Sequence, residues 1–487
     1  MRSARRFDRV LGSVCAALLL FVQSGLARDN EERILSLSLE EFTQMALKDS
    51  LRIRIAEDDL RSGQLVWEAT LKSLNLPTMS ASGTLTKSFN DDGTGGQTAT
   101  KLSQGSLNLS EPLITGTNLS LSSTWTGSDS TISGDTLIAP PRQRTLPSVV
   151  ANLTQPLFIF VGNDSLRTRR VAYLEWDNTQ DGFRSQRIGI EVDARALFYN
   201  LLVQRETADV QKKKFESGQL LHNATRALVQ AGKLAQVEIS RADIRAQQDF
   251  RQFENAQIAS DKALNQVLDF VSLPQGTRLT VTSQLSYEPF RVSLDRLIAI
   301  AIRKNPDLRS TERSIQLSEI QLRRDWEKDH LQLNALGSYA RTLDRSKPDF
   351  PIDPYSWSAG LSLNWPFYDA SQSRLRKQES ELALTRAKQS YESQLRQLKV
   401  NIRNTYLELK RTENQISDFQ PQRNSARENL RAVRLQYQHG LSRLTDVFDA
   451  ENAVRDLELE YLGLLVSFNQ ARDQLKQQVG VDLYEQL

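Results

Sequence analysis

The sequence predicts an α+β protein built from two copies of one helix, β-hairpin, helix plan, and three observations carry that prediction. The segment opening Ser38-Leu39-Glu40-Glu41 returns as Ser293-Leu294-Asp295-Arg296, and most of the residues downstream of each copy match in order and spacing. Each copy contains long stretches poor in Gly and Pro whose apolar residues recur every three or four positions, the period of a helix. Each copy also contains a stretch where apolar and polar residues alternate, the period of a strand.

The repeat extends well past its first residues. Ala46-Leu47-Lys48-Asp49-Ser50-Leu51-Arg52-Ile53 lines up with Ala301-Ile302-Arg303-Lys304-Asn305-Pro306-Asp307-Leu308, and Gln155-Pro156-Leu157-Phe158 with Trp365-Pro366-Phe367-Tyr368. Val192, Arg195, Phe198 and Gly232 fall opposite Val400, Arg403, Tyr406 and Gly440. A period this long exceeds that of solenoid repeats and reads as a duplicated half-domain whose copies pack with pseudo-symmetry. The division is residues 1–27, a leader; 28–280, the first copy, with its β segment at about 76–156; and 281–487, the second, with its β segment at about 331–366.

The leader begins with Arg2, Arg5, Arg6 and Arg9, continues with an apolar run from Val14 to Val22, and ends in Gly25-Leu26-Ala27. That order is an export signal, too short to span a bilayer as an anchor. The net charge of +3 comes from 62 basic and 59 acidic residues, and the leader holds the excess. The remainder is formally neutral, which gives no reason to expect a nucleic-acid partner. Cys15 is the only cysteine and lies in the leader, preceded by Val14 where a lipid-attachment site needs a small residue. Disulfides, thiol catalysis and cysteine metal sites are therefore not expected. No later apolar stretch reaches transmembrane-helix length, so entry into a membrane would require a β-barrel.

Helical texture covers about 38–73, 164–229, 234–270, 293–329, 370–436 and 443–479. In the fifth stretch, Leu375, Leu382, Leu395, Leu398, Ile402, Leu409 and Ile416 recur mostly at three, four or seven residues, as in a supercoiling helix. Such a helix is on the order of 100 Å long and needs partners along its whole length.

Between the first two helical stretches of the second copy, Tyr355, Trp357, Ala359, Leu361, Leu363 and Trp365 alternate with Ser356, Ser358, Gly360, Ser362 and Asn364. The run before it sets Leu331, Leu333, Ala335 and Tyr339 against Gln332, Asn334 and Ser338. Runs of about ten residues suit one crossing of a tilted barrel strand, and alternation alone suits a soluble amphipathic hairpin equally well. Asp344 to Pro354 reads as an exposed loop. The first copy offers four strands, Met79 to Phe89, Gly105 to Leu109, Leu119 to Trp125 and Val149 to Gln155. They are separated by a Gly-rich segment at 91–100, a turn at Pro112 to Thr117 and a polar loop at 127–147. The additional hairpin either widens a barrel or folds outside it.

The leader, the two helix-hairpin-helix copies, the Asn305-Pro306-Asp307-Leu308 box, and the strand-ending Gln155-Pro156-Leu157-Phe158 and Trp365-Pro366-Phe367 boxes resemble the outer-membrane efflux protein family of TolC-like channels. The resemblance covers nearly the whole chain after the leader. It implies a homotrimer whose subunits share one outer-membrane β-barrel, continued by a long periplasmic α-helical coiled-coil barrel. Such a protein sits in outer-membrane lipid of a Gram-negative bacterium and extends into the periplasm. It serves as the passive exit duct of a tripartite efflux or type I secretion system, with a periplasmic membrane-fusion (adaptor) protein and an inner-membrane pump of RND, ABC or MFS type.

Two helix-to-helix turns stand out. Gly232-Lys233-Leu234 is followed by Glu238, and Gly440-Leu441-Ser442 by Asp446, each acid six residues after its Gly. Gly lets a helix end in a left-handed turn, and by residues alone these could be plain hairpin turns. The resemblance makes them the docking tip for the adaptor. Asp446 and Asp449, three apart, share a helix face. By residues alone they suit a helix start, where acids interact well with the dipole. By resemblance they line a cation-selective constriction, with Tyr437 and Glu238 helping to hold it closed. Ser442 stands where some family members carry a bridging arginine, and Arg443, one position on, lies about 100° round the helix.

His222, His330 and His439 are the only histidines and are isolated, with no metalloprotease, nucleophile-elbow or phosphate-loop pattern around them. No enzyme, cofactor or metal site is expected. The reading from another class is a soluble periplasmic coiled-coil structural or adaptor protein.

Overall fold

The computed structural model describes residues 35–91, 97–133, 143–157, 162–274, 276–277, 279–342, 355–439 and 441–480. The leader, Phe158 and Gly440 lie outside them. The helices are α1 (Leu39–Asp49), α2 (Leu51–Asn75), α3 (Asp164–Gln230), α4 (Val237–Phe270), α5 (Leu294–Lys304), α6 (Pro306–Glu327), α7 (Gln372–Gln438) and α8 (Leu444–Val479). The strands are β1 (Leu35–Leu37), β2 (Thr78–Asp91), β3 (Gln97–Pro112), β4 (Asn118–Ser133), β5 (Gln143–Leu157), β6 (Leu279–Val281), β7 (Gln332–Thr342) and β8 (Tyr355–Asn364). Helix lengths repeat between the copies: 11 and 11 residues for α1 and α5, 67 and 67 for α3 and α7.

The first helical stretch of each copy is two helices, not one. Ser50 and Asn305 leave the helical region with ψ of 145° and 121°. Asn305 Oδ1 accepts the Leu308 N–H at 2.8 Å, and Pro306 occupies the first helical position, where a missing N–H costs nothing. The Asn305 amide also donates to the Gln478 carbonyl at 2.8 Å. The copies differ at their first caps. Ser38 and Glu41 form a reciprocal capping box, whereas Arg296 occupies the position of Glu41 and Ser293 makes no side-chain cap bond.

The chain forms two compact units. One comprises residues 1–54, 189–290 and 407–474, and the other 55–188, 291–406 and 475–487, so four of the five boundaries fall within α2, α3, α7 and α8 and the fifth between β6 and α5. In the first unit, β1 pairs in parallel with β6, two three-residue strands too short to show a period. Beside them lies a core of Phe42, Ala46, Ala194, Phe198, Leu201, Leu202, Ala263 and Val267. Phe42 and Phe198 are fully buried and stack with centroids 5.6 Å apart. Each such side chain contributes roughly 1.5–3 kcal/mol of burial.

In the second unit, α3 and α6 are joined by charge. Arg313 is 5% exposed and directs its guanidinium to three acceptors on α3: Asp177 at 2.7 Å, Asn178 at 2.8 Å, and Asp181. Directing the fork at separate acceptors satisfies a charge that would be costly to bury alone. Arg167 pairs with Glu327, which also accepts the Gly162 N–H at 2.8 Å.

The remaining strands of that unit form one antiparallel sheet in the order β2-β3-β4-β5-β7-β8. The additional hairpin of the first copy is therefore part of the same sheet. Its strands run 14–16 residues, longer than the sequence suggested, because pairing continues through segments read as loops: Gln97 opposite Ser133, and Ser128 opposite Gln143. Backbone ladder bonds do not require the apolar alternation that marked the strands. The turn at Leu113–Thr117 is as expected, with Gly116 at φ +83° and the Leu113 N–H donating to the Thr117 carbonyl at 2.8 Å.

Candidate functional site

Two regions hold the residues that the sequence singles out. The first is the sheet. One rung across all six strands reads Met79, Leu109, Leu121, Ala151, Tyr339, Trp357. The adjacent rung reads Thr78, Ser110, Ser120, Asn152, Ser338, Ser358. Because side chains alternate across a sheet, these rungs belong to opposite faces, one apolar and one polar. On the polar face, Ser82 and Ser106 hydroxyls meet at 2.7 Å, and Thr124 and Ser148 at 3.1 Å. On the apolar face none of the described residues covers the large side chains: Met79 is 82% exposed and Trp357 73%. A contiguous exposed apolar face marks a surface that meets lipid or another protein.

Trp125 sits at an irregularity in the β4–β5 register, and its indole lies across Gly105, where an added Cβ would come within 2.0 Å of the ring. The bulge re-aims the side chain and the glycine makes room for it. At the other side of the sheet Tyr339 stacks on Tyr355 with centroids 6.2 Å apart, while Trp365 and Phe367 are exposed beyond the end of β8. The strand joints with α2, α6 and α7 all fall on one side of the sheet, as does the end of β5 leading to α3.

The second region is where α3 turns into α4 and α7 into α8. Gly232 has φ +70°, and the Lys233 N–H donates to the Leu228 carbonyl at 2.9 Å. The same bond recurs between the Leu441 N–H and the Gln436 carbonyl at 2.8 Å. In the first turn this is the long bond of a Schellman ending, which the left-handed Gly232 makes possible. Both turns share one apolar cluster of Ala242, Tyr437, Leu444 and Val447, with Leu221, Leu228, Leu234, Val433 and Phe448 against it.

Of the six turn residues, Gly232, Lys233 and Leu441 are exposed, Leu441 at 79%. Leu234 packs into the cluster and Ser442 is half-buried, its hydroxyl donating to the Val433 carbonyl at 3.3 Å. Gly440 is outside the described residues. Asp446 and Asp449 are both exposed, on the side of α8 away from Leu444, Val447 and Ala450. Asp446 also accepts the Arg443 N–H at 2.8 Å, which caps α8. Glu238 accepts from Arg241 at 2.9 Å.

Tyr437 is 2% exposed, and its hydroxyl lies 2.8 Å from Thr225 Oγ1. Thr225 spends its one proton on the Leu221 carbonyl at 2.8 Å, so Tyr437 is the donor. Burial pushes the phenol above its ordinary pKa, and the Glu238 charge adds to that.

Sequence reasoning missed the polar bridges beside this cluster. Arg434 of α7 donates to Glu451 of α8 at 2.7 Å and also reaches Ser217 of α3. Ser217 donates to the same Glu451 oxygen at 2.8 Å. Arg245 of α4 bonds Asn452 of α8 and lies 5.4 Å from the Phe448 ring centroid. Deeper in, Lys214 of α3 pairs with Asp249 of α4 at 2.9 Å, both nearly inaccessible, and burial lowers the Lys214 pKa despite that partner. Together these bonds tie all four helices, and Ser442 needs no arginine for α3 to be joined to α8.

Among the described residues no group of three or more His, Cys, Asp or Glu is placed to hold a metal ion, and no helix is long and apolar enough to cross a membrane. Residues 297–481 match the family model described as outer membrane efflux protein. No curated protein matches the chain. Solved structures with the same fold include the CmeC outer membrane channel of Campylobacter jejuni, with TM-score 0.67 and 13% identity over 91% of this chain and 85% of that one. The outer membrane protein VceC of Vibrio cholerae matches with TM-score 0.67 and 12% identity, over 91% and 96% of the two chains. The open state of the MtrE outer membrane channel of Neisseria gonorrhoeae matches with TM-score 0.66 and 14% identity, over 91% and 89%.

Proposed function

We propose that this chain, whose second copy carries the outer membrane efflux pattern, is an outer-membrane channel of a Gram-negative bacterium. It acts as the passive exit duct of a tripartite efflux or type I secretion system. The observation that carries the reading is the two-faced sheet, with an apolar rung and a hydroxyl-rich rung each continuous over six strands. Such a wall suits lipid outside and water inside.

Within one chain β2 and β8 each pair on one side only. Exposed edges of this length invite pairing with another chain, and closure is the only arrangement that satisfies them in lipid. β2 and β8 run in opposite directions, so β8 of one copy can pair antiparallel with β2 of the next. Three copies of a six-stranded sheet would close an eighteen-stranded wall. At ordinary strand spacing and tilt its backbone diameter is on the order of 35 Å, wide enough for an aqueous channel.

In this reading each copy of the repeat, 28–280 and 281–487, supplies strands to the barrel and a helical hairpin to a periplasmic tunnel. Gly232 to Leu234 and Gly440 to Ser442 form the tip that meets the adaptor, which links the duct to an inner-membrane pump. Asp446 and Asp449 line the constriction, and three copies would set six carboxylates around it, a field that favours cations. Tyr437, Glu238 and the arginine bridges hold the tip closed. The chain needs no catalytic group, because energy enters at the pump.

The test is extraction of the membrane fraction. A detergent-requiring, heat-modifiable trimer that conducts ions in planar bilayers is expected. A soluble monomer in the periplasm would overturn the channel reading and favour a coiled-coil structural or adaptor protein.

A further inference from the structure

The apolar face of the sheet ends in an arrangement that a lipid-facing wall does not explain. Going away from the helix joints, β2 places Met79, Ala81, Gly83 and Leu85 on that face, then Lys87 and Phe89. Lys87 stands directly opposite Lys101 of β3, and both are exposed. Like charges at paired positions destabilise a sheet unless something neutralises them. Lysine on an edge strand discourages unwanted pairing, but in the closed wall β2 pairs with β8 of the next copy, so that reason does not account for Lys87. Lys101 is on β3, an interior strand, where that reason does not apply. Asp129 of β4 stands opposite Lys101 in the register, so over β2, β3 and β4 the described rung holds two basic residues and one acid.

The height of this rung is informative. Trp125 lies on Gly105, and Lys101 is four residues further along β3. Aromatic residues of barrels sit at the edge of the hydrocarbon. Four residues of a strand tilted by about 40° rise roughly 10 Å, which places the lysine pair in the headgroup layer. Lys87 is also held in place, its ammonium 4.7 Å from the Phe89 ring centroid.

We infer that Lys87 and Lys101 form a binding site for the phosphate groups of the phosphorylated glycolipid in the outer leaflet, seated on the outward face of β2 and β3. The inference rests on the channel reading, which supplies the membrane and its orientation. The phosphate neutralises the opposed ammonium groups, and the acyl chains lie down the Met79 to Leu85 face.

The test uses the full-length trimer in lipid nanodiscs with purified bisphosphorylated lipid A as probe, its binding measured by native mass spectrometry. Replacing both residues (K87Q, K101Q) is expected to weaken binding roughly thirtyfold, given the contribution of each basic residue at an anionic membrane surface. K399Q, on the exposed surface of α7, should bind like the unaltered protein. Lipid A with both phosphates removed should bind the unaltered protein as weakly as the double variant binds the intact lipid. Inorganic phosphate in equal amount should not compete. Unchanged binding by the double variant, equal binding of the phosphate-free lipid, or competition by inorganic phosphate would each overturn the inference. A trimer that inserts but shows one of these results leaves the channel reading standing, whereas a protein that forms no membrane trimer overturns both.

Discussion

The turn after α3 and the turn after α7 share a plan and use it differently. Both end their first helix with the same long backbone bond, and both place an acid six residues beyond the glycine. In the first turn that acid, Glu238, is engaged by Arg241 one turn along, and α4 begins without a side-chain cap. In the second, Asp446 caps α8 through the Arg443 N–H, and Asp449 is exposed beside it on the same face. Matching positions in a duplicated chain thus keep the backbone while their side chains diverge. In the proposed channel, the second turn carries the charge that acts on passing ions and the first keeps its acid neutralised.

Replacing both Asp446 and Asp449 with Ala should make the largest difference, abolishing block by multivalent cations in single-channel recordings. Unchanged block would remove them from the pore and leave the two turns functionally alike. Asp446→Asn separates charge from capping, because the amide oxygen still accepts the Arg443 N–H. It should weaken block while leaving the melting temperature nearly unchanged.

The first hairpin contains an ion pair buried at both ends, Lys214 with Asp249, whereas in the second Arg434 with Glu451 is buried only at the carboxylate and Arg427 with Glu458, at 2.6 Å, is largely open to solvent. Asp249→Ala strands a buried ammonium and should destabilise the protein by about 3–5 kcal/mol in urea unfolding of the trimer. Gly232→Ala adds a Cβ into open space, so only its positive φ is penalised, by about 1–2 kcal/mol. Arg427→Ala should cost less than about 1 kcal/mol by the same measurement, since solvent screens an exposed pair. If Arg427→Ala proved as damaging as Asp249→Ala, the two hairpins would be equally dependent on charge, and the contrast between them would fail.

The long helices were legible because their period persists for dozens of residues, and their observed ends fall within a few residues of the expected ones. The breaks at Ser50 and Asn305 were not read as breaks. Asn305-Pro306 carried the cap signal, but Ser50 has no proline after it and looks like an ordinary polar position within a helix. Strand lengths were underestimated where Ser, Thr and Gly replace apolar residues and only backbone pairing remains. The turn after α3 was legible through Gly232, since a left-handed turn restricts residue choice. The bridges of Arg434, Ser217, Glu451, Arg245 and Asn452 were not, because a charged residue facing a neighbouring helix has the same sequence signature as one facing water. The role of Asp446 as a cap lay in its distance of three residues from Arg443, a spacing visible in the sequence but shared by many unremarkable pairs.

Asn305 gives the chain an order in time. Its side chain caps α6 at once, from atoms made within a few residues of each other, but its amide must wait for the carbonyl of Gln478. That partner is made 173 residues later, so the bend between α5 and α6 holds an unanswered donor until α8 arrives.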